Sequence, residues 1–277
     1  MTVLLSKYPA VDLALARRLE RAEGMANAAS VESRRQLQPD VGAEWIDVAG
    51  VYAMFDGSTS PLTQTFGLGL FDRFAEREFD EVERFFSAHE AATAHEVCSF
   101  AERETVSLLG ARGYSPIEAS VVLVRPTAIA TDSPPPAIVV RAVGVDEISM
   151  WSRVAAQGWE TEAPGLGEFL ENLGAVVGRA RGVTCFLAER DGGGEPIAAA
   201  TLNISNGVAL LAGATTILAA RREGAQRALL HARLRFAMEQ GIDLAMVVTQ
   251  PGTASYRNAE RQGFRPVYTR AKWQRAR

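Results

Sequence analysis

The segment best placed for chemistry is "ATTILAARREGAQRALL", residues 214–230. A strand-like run ends, a short basic stretch follows, and a helix opens at Gly224-Ala225-Gln226. The first N–H groups of a helix lack partners and sit at the positive end of its dipole, which suits a phosphate. Gly224 removes the side chain that would block close approach of a diphosphate. Arg221 and Arg222 add positive charge beside Glu223, and Gln226 or Arg227 could reach a phosphate oxygen. The competing description is an ordinary basic helix start at the surface. The spacing is neither a P-loop nor a GxGxxG turn.

A second feature concerns the elements that would carry such a site. "ARGYSPIEAS" (111–120) and "RQGFRPVYTR" (261–270) each contain glycine, an aromatic, a spacer and proline, followed by strand-like residues. Their glycines are 263 − 113 = 150 positions apart. Between them "RPTAIATDSPPPAIVV" places three prolines in a row, which disfavours regular pairing and reads as a semi-rigid linker. After the linker the pattern is strand, two helices with Asp146 as the expected first N-cap, and paired strands around "DGGGE". A strand through 207–218, a helix over 224–241 with Ala225, Leu229, Ala232 and Phe236 on one face, a buried strand, a short helix at 254–262 and a last strand complete it. The first half predicts a long helix near 10–38, strands at 44–55 and 63–71, then helix, strand, helix and strand. The order strand–helix–strand–helix–Gly-aromatic–strand occurs in both halves, which points to duplication.

Bulk properties set limits. At 277 residues, 47% of them apolar, the chain is long enough for about two domains. A net charge of −4 argues against a nucleic-acid partner, which needs a basic stripe. Cys98 and Cys185 lie in different halves without CxxC partners, so buried reduced thiols and a cytoplasmic location are expected. His89, His95 and His231 match no metal spacing, and no metal is expected. No run approaches the ~18 apolar residues of a membrane span, and the N-terminus lacks the apolar core of a signal peptide.

Arg221-Arg222-Glu223-Gly224-Ala225-Gln226 resembles the Q/R-x-x-G-x-G/A pyrophosphate loop of the GNAT superfamily of acyl-CoA-dependent N-acetyltransferases, except for the final Gln. The ordered context "LAMVVTQ", short helix and "ERQGFRPVYTR" is similar to the same family. The resemblance covers residues 137–277 well and the first half weakly. It implies an α/β (α+β) fold of two mixed-sheet units in tandem, each a central, mostly antiparallel sheet flanked by helices. Residues 1–128 would be a degenerate N-terminal domain, 129–136 a Pro-rich linker and 137–277 the acetyltransferase domain.

The resemblance also implies acetyl-CoA, or another acyl-CoA, as co-substrate. Pantetheine would run along Ala214, Thr215, Thr216, Ile217 and Leu218, and the amides of Arg222 to Gln226 would take the diphosphate. Direct attack of an amine on the thioester needs a proton removed from the amine (pKa roughly 10) and one supplied to a thiolate (roughly 8.5). Many members place a tyrosine acid where this chain has Ala259. Ser255 is therefore the first candidate acid and Tyr256 the second, with helix capping the alternative for Ser255. Asn258 is expected to contact cofactor or cap a loop. No acid lies on the strand before the loop, so Glu160 and Glu162 in "GWETEAPG" are the candidate bases, unless water carries the proton. In the first half the matching helix start carries Glu76, Glu78, Asp80 and Glu81, which would repel a diphosphate. The expected activity is acyl transfer to an amine of a small molecule or peptide, with a homodimer possible. The alternatives are a non-catalytic acyl-CoA sensor, or a tandem transferase of aminoacyl or thiol-cofactor type.

Overall fold

A computed structural model describes residues 8–129 and 137–275. Most of the expected linker, 130–136, lies outside the described residues. In chain order the elements are α1 (Leu13–Leu37), β1 (Glu44–Val48), β2 (Val51–Phe55), β3 (Gln64–Phe66), α2 (Glu76–Ala88), β4 (Ala94–Cys98), α3 (Arg103–Ala111) and β5 (Tyr114–Pro126). They continue with β6 (Ile138–Ala142), α4 (Ile148–Trp159), α5 (Gly167–Val177), β7 (Val183–Arg190), β8 (Ala198–Ser205) and β9 (Val208–Thr216). Last come α6 (Ala225–Glu239), β10 (Leu244–Thr249), α7 (Ala254–Arg261) and β11 (Arg265–Arg275). Two compact units result: Met1–Arg125 with Val247–Arg277, and Pro126–Met246. The sequence reading put 137–277 into one domain; here its last 31 residues pack with the first unit, and the division falls inside β10.

In the first unit the strand order is β1-β2-β3-β4-β11-β5, antiparallel except for the β3–β4 pair. Successive strand residues face opposite sides. Ala53 and Phe55 therefore meet the α2 face with Phe79, Val82 and Phe86, while Met54 meets Ala28 and Val31 of α1. Asp12 caps α1, its Oδ1 accepting from the Leu15 N–H at 2.8 Å. The expected strand at 63–71 stops at Phe66 because Gly67 and Gly69, at φ 87° and 69°, turn the chain out of the ladder.

The two glycine-aromatic motifs do the same local work. Gly113 and Gly263 have φ of 83° and 81°, each just after a helix and just before a strand. That left-handed position is the common helix C-terminal stop. The strands they launch, β5 and β11, pair with each other antiparallel. Ser120 pairs with Arg270, its own counterpart 270 − 120 = 150 positions on. β11 inserts between β4 and β5, which is why the chain's end belongs to the first unit.

Arg270 of β11 is buried and faces α1, with Nε 3.4 Å from Glu20 Oε1 and Nη2 2.5 Å from Glu23 Oε2. The Tyr268 hydroxyl donates to Glu20 Oε1 at 2.8 Å. Burial pushes the Glu20 carboxyl up to about 7, with Arg270 opposing the rise. On the other side of β4, His95 is fully buried between the ring edges of Phe79 and Tyr114, its Nδ1 2.8 Å from Thr65 Oγ1. Burial brings His95 down to about 3.

The second unit has the order β10-β9-β8-β7-β6, with only β9–β10 parallel. Ile148, Trp151, Val154 and Ala155 of α4 pack on Cys185, Leu187 and Ala199, whereas Phe236 of α6 meets Phe186 edge-on. Neighbouring strand residues thus bind helices on opposite faces. Asp146 does not cap α4; it lies in a turn of 3₁₀ helix, and the residue before α4 is Glu147, whose carboxylate pairs with Arg141 at 2.7 Å. Gly192, Gly193 and Gly194 turn β7 towards β8 at positive φ, as the sequence predicts. Cys98 and Cys185 are buried and free, one in each unit. Among the described residues no helix is long and apolar enough to cross a membrane.

His95 sets an expected acid response. Between about pH 6.5 and 3 the unfolded chain protonates this ring and the folded chain does not, so stability is lost as pH falls. Glu20 has the opposite sign: its contribution is present below about 4.5 and is lost as pH rises towards 7. Below pH 4.5 the Glu20 slope no longer opposes that of the histidine, which is up to about 1.4 kcal/mol per pH unit. Urea unfolding from pH 3 to 4.5 should be flatter in His95→Gln than in the wild type. Parallel curves would contradict a neutral buried ring.

Candidate functional site

In the second unit, β9 pairs with β10 only over Val208–Leu210 and with β8 along its whole length. Beyond Leu210 one edge of β9 has no strand partner among the described residues of that unit. Within this stretch the β8–β9 register slips: Ala199 pairs with Thr215 but Thr201 pairs with Ala212. Two steps on β8 therefore match three on β9, a β-bulge at Gly213-Ala214. Gly213 supplies the φ of 58° that it requires. The bulge keeps Ala212 and Thr215 on one face of the sheet, where simple alternation would separate them. The Ile217 N–H donates to Ile197 O at 3.0 Å, towards β8. By alternation the backbone groups of Thr216, and of Ala214 before it, face the open edge.

After β9 the chain makes one 3₁₀ turn at Leu218–Ala220 and reaches α6 through Arg221–Gly224. Arg222 and Gly224 both have positive φ, 72° and 95°. No side chain caps α6. The first intrahelical bond is Ala228 N–H to Gly224 O at 3.0 Å, so the N–H groups of Ala225, Gln226 and Arg227 have no intrahelical acceptor. Gln226 reaches back, its Nε2 donating to Thr216 Oγ1 at 2.9 Å. Glu223 turns to Arg190 of β7, with contacts at 2.8 and 2.9 Å; that hydrogen bonding holds its carboxyl below the usual range and fixes its charge to a cation.

Arg221 closes a different contact. Its guanidinium donates to Thr161 Oγ1 at 2.7 Å and Glu162 Oε1 at 3.0 Å, and more weakly to Gly158 O and Thr216 O, both at 3.4 Å. Glu162, expected as a candidate base, is thereby the exposed partner of Arg221. Glu160 is exposed at the end of α4. Gly158 lets α4 lie against β9: a Cβ there would stand 2.1 Å from Thr215 Oγ1. The structure thus brings Thr215, Thr216, Arg221, Gln226 and Glu162 together. Leu218, Arg222, Glu223 and Arg227 are exposed around that turn, Ile217 is half-buried and Ala225 is buried.

Ser255, Tyr256 and Asn258 fall in the first unit, on α7. Ser255 does not cap this helix; Thr253 does, its Oγ1 accepting from the Tyr256 N–H at 3.2 Å. Ser255 is exposed, Asn258 accepts from Arg261 at 3.1 Å, and hydrogen bonding to Glu260 raises the Tyr256 hydroxyl above its usual range.

The corresponding place in the first unit is filled. After β3, Leu68, Leu70 and Phe74 are buried. Glu78 folds back on the N-terminus of α2, its Oε2 accepting from the Ala75 N–H at 3.0 Å. Glu76 and Asp80 hold Arg112. A carboxylate thus occupies the helix start that α6 leaves uncapped.

Sequence reading missed Gly158, Thr161, Arg190, Thr201 and Arg233. For Arg233 a signal existed: it lies four residues after Leu229, in the apolar stripe of α6. For the others the contact joins distant segments and left no local trace.

No protein-family model matches the sequence, and no curated protein matches it. Solved structures do. A GCN5-related N-acetyltransferase from Kribbella flavida superposes with a TM-score of 0.65 at 18% identity, covering 90% of this chain and 96% of that one. A tandem GNAT protein from the clavulanic acid biosynthesis pathway gives 0.58 at 14% identity, covering 81% and 77%. A GCN5-related N-acetyltransferase from Sphaerobacter thermophilus gives 0.55 at 14%, covering 99% and 96%. The likeness shows the fold: a GNAT-type mixed α/β arrangement, as the loop and Gly-Phe motifs implied.

The α4–β9 contact is directly testable. Gly158→Ala should cost about 1–3 kcal/mol in urea unfolding, because either the helix or Thr215 must move. Adding Thr215→Ala should return part of that loss. A fully stable Gly158→Ala chain would show that α4 does not lie this close.

Proposed function

We propose that the chain is an acyl-CoA-dependent N-acyltransferase with one working site, built on the second unit. The observation that carries this reading is the sequence of open β9 edge, bulge, positive-φ turn and uncapped α6 start within residues 211–227. An open strand edge suits the amide groups of a pantetheine arm, and the helix start suits a diphosphate. Arg222, Gly224, Ala225, Gln226 and Arg227 would hold the diphosphate, with Arg221 beside it. Acetyl-CoA is the donor used to test the reading, and the acceptor is an amine of a small molecule or peptide.

The chemistry is nucleophilic substitution at a thioester. The amine nitrogen forms a bond to the acyl carbon, the carbon–sulfur bond breaks, the amine gives up a proton and the thiolate takes one up. The N–H groups of Ala214 and Thr216 at the open edge are suited to stabilise the negative charge that grows on the carbonyl oxygen. Glu162 would exchange Arg221 for proton work only if the diphosphate competed for that arginine, so Glu160 or water is the better route out for the amine proton. Ser255 and then Tyr256 are the candidates from sequence for the proton that the thiolate takes up, and the kinetics of Ser255→Ala and Tyr256→Phe test each.

Calorimetry with CoA should give one site per chain, because the matching helix start of the first unit is capped by its own Glu78. Gly224→Glu should abolish that binding, since φ 95° and the approach to the helix start both exclude a side chain. Acetyl-CoA with a panel of amines should release free thiol. Unchanged CoA affinity in Gly224→Glu refutes the loop reading; binding without turnover on any amine favours a sensor.

A further inference from the structure

Arg233 is 3% exposed in the middle of α6, and burial lowers its pKa. No carboxylate among the described residues pairs with it. Its acceptors are main-chain carbonyls: Nε donates to Leu229 O at 3.2 Å, while Nη1 donates to Thr201 O at 3.0 Å and Ala212 O at 3.3 Å. Those last two carbonyls belong to residues paired across β8 and β9 immediately before the bulge. One nitrogen therefore sits in the gap that the bulge opens in the ladder and bonds both strands. The Thr201 hydroxyl supports the same carbonyl, donating to Ala212 O at 3.0 Å. Ala212 and Gly213 themselves are exposed, so the bulge has solvent on one side and a buried cation on the other.

A bulge held this way has consequences along β9. It puts Thr215 on the face that meets Gly158 and leaves the backbone of Ala214 and Thr216 facing the open edge. Without a donor in the gap, Thr201 O would lose its buried side-chain partner and Ala212 O one of its two, and the strand would gain by closing the ladder in another register. Closing by one residue would reverse the facing of Gly213, Ala214 and Thr215.

We propose that Arg233 is a positioning residue for acyl transfer: from the far side of the sheet it holds the β9 bulge open and so aims the Ala214 and Thr216 N–H groups at the acyl carbonyl. The inference rests on the reading of the site given above. It separates two parts of that site. The diphosphate turn at Arg222–Gln226 lies beyond the bulge and does not depend on Arg233, whereas alignment of the carbonyl does.

The test uses the full chain and Arg233→Lys, which keeps a cation but ends one bond short of the nitrogen that bonds Thr201 O and Ala212 O. Free CoA should bind the variant within about 3-fold of the wild type, since the turn retains its backbone donors. The kcat for acetyl transfer should fall about 100-fold with the acetyl-CoA KM nearly unchanged, the pattern of a lost transition-state donor. Amide exchange at Thr215 should accelerate while exchange along β7 does not. A merely structural role would lower the unfolding midpoint without this split. Wild-type turnover with a variant kcat within about twofold overturns the inference alone. Absence of wild-type turnover on any amine overturns the reading of the site and the inference with it. Should Arg233→Lys not fold, Thr201→Val removes the other donor to Ala212 O and should lower kcat about 10-fold; an unchanged kcat there overturns the proposal.

Discussion

The pairing of β11 with both β4 and β5 is the constraint on which the first unit depends. A strand inserted between two others satisfies the main-chain groups of both neighbours, and here that strand comes from the far end of the chain. Its buried Arg270 brings two glutamates of α1 onto the sheet, so the first helix is located by the last strand. The duplicated sequence unit and the compact unit are consequently different things. The two Gly-aromatic motifs start equivalent strands, yet those strands pair with each other, with Ser120 opposite Arg270. A repeat whose terminal strands meet at their own equivalent residues cannot be cut at its linker into two self-contained sheets.

Both halves share a strand meander, a helix and a parallel strand, and they differ in the segment that joins the third strand of the meander to the next helix. After β3 the chain spends its glycines on a loop that buries Leu68, Leu70 and Phe74, and the next helix starts with a carboxylate already on its N-terminus. After β9 the glycines go to a bulge and to the residue before α6, and the acidic residue of that turn is drawn off to Arg190. The same fold thus closes one helix start to anions and leaves the other open to them. The difference is made by a few side chains at equivalent places and needs no change of topology.

Local features were legible in the sequence, and nonlocal ones were not. The three glycines of "DGGGE" announce positive φ and Gly224 a close approach, and the structure gives all four positive φ, whereas the left-handed stops at Gly113 and Gly263 emerge only in the structure. Helix ends were less secure: Thr253 caps α7 where Ser255 was a candidate, and no side chain caps α4, because the turn of 3₁₀ helix that holds Asp146 runs straight into it. The bulge on β9 could not be read, since it exists only in the register between two strands. Nor could the tie between Arg221 and Glu162, which spans 59 residues and converts a candidate base into half of an ion pair. The placement of β11 is the extreme case. Its alternation is that of any strand, and only the chain's other half supplies its partners.

The two most informative buried cations make a contrast that composition hides. Arg270 is matched by Glu20 and Glu23, and the carboxylates hold its charge in place by raising its pKa well above the ordinary value. Such a cluster is a structural clasp, whose desolvation cost is offset by direct ion pairing. Arg233 has only carbonyl dipoles, and its pKa moves the other way. A leucine at that position would avoid the cost of burying a charge, and α6 already presents Leu229 and Leu234 to the same interior. What leucine could not do is donate to Thr201 O and Ala212 O at once. A planar guanidinium can bridge a ladder gap that no apolar side chain fills, so the buried charge is explained by the bulge and the bulge by the open edge it shapes.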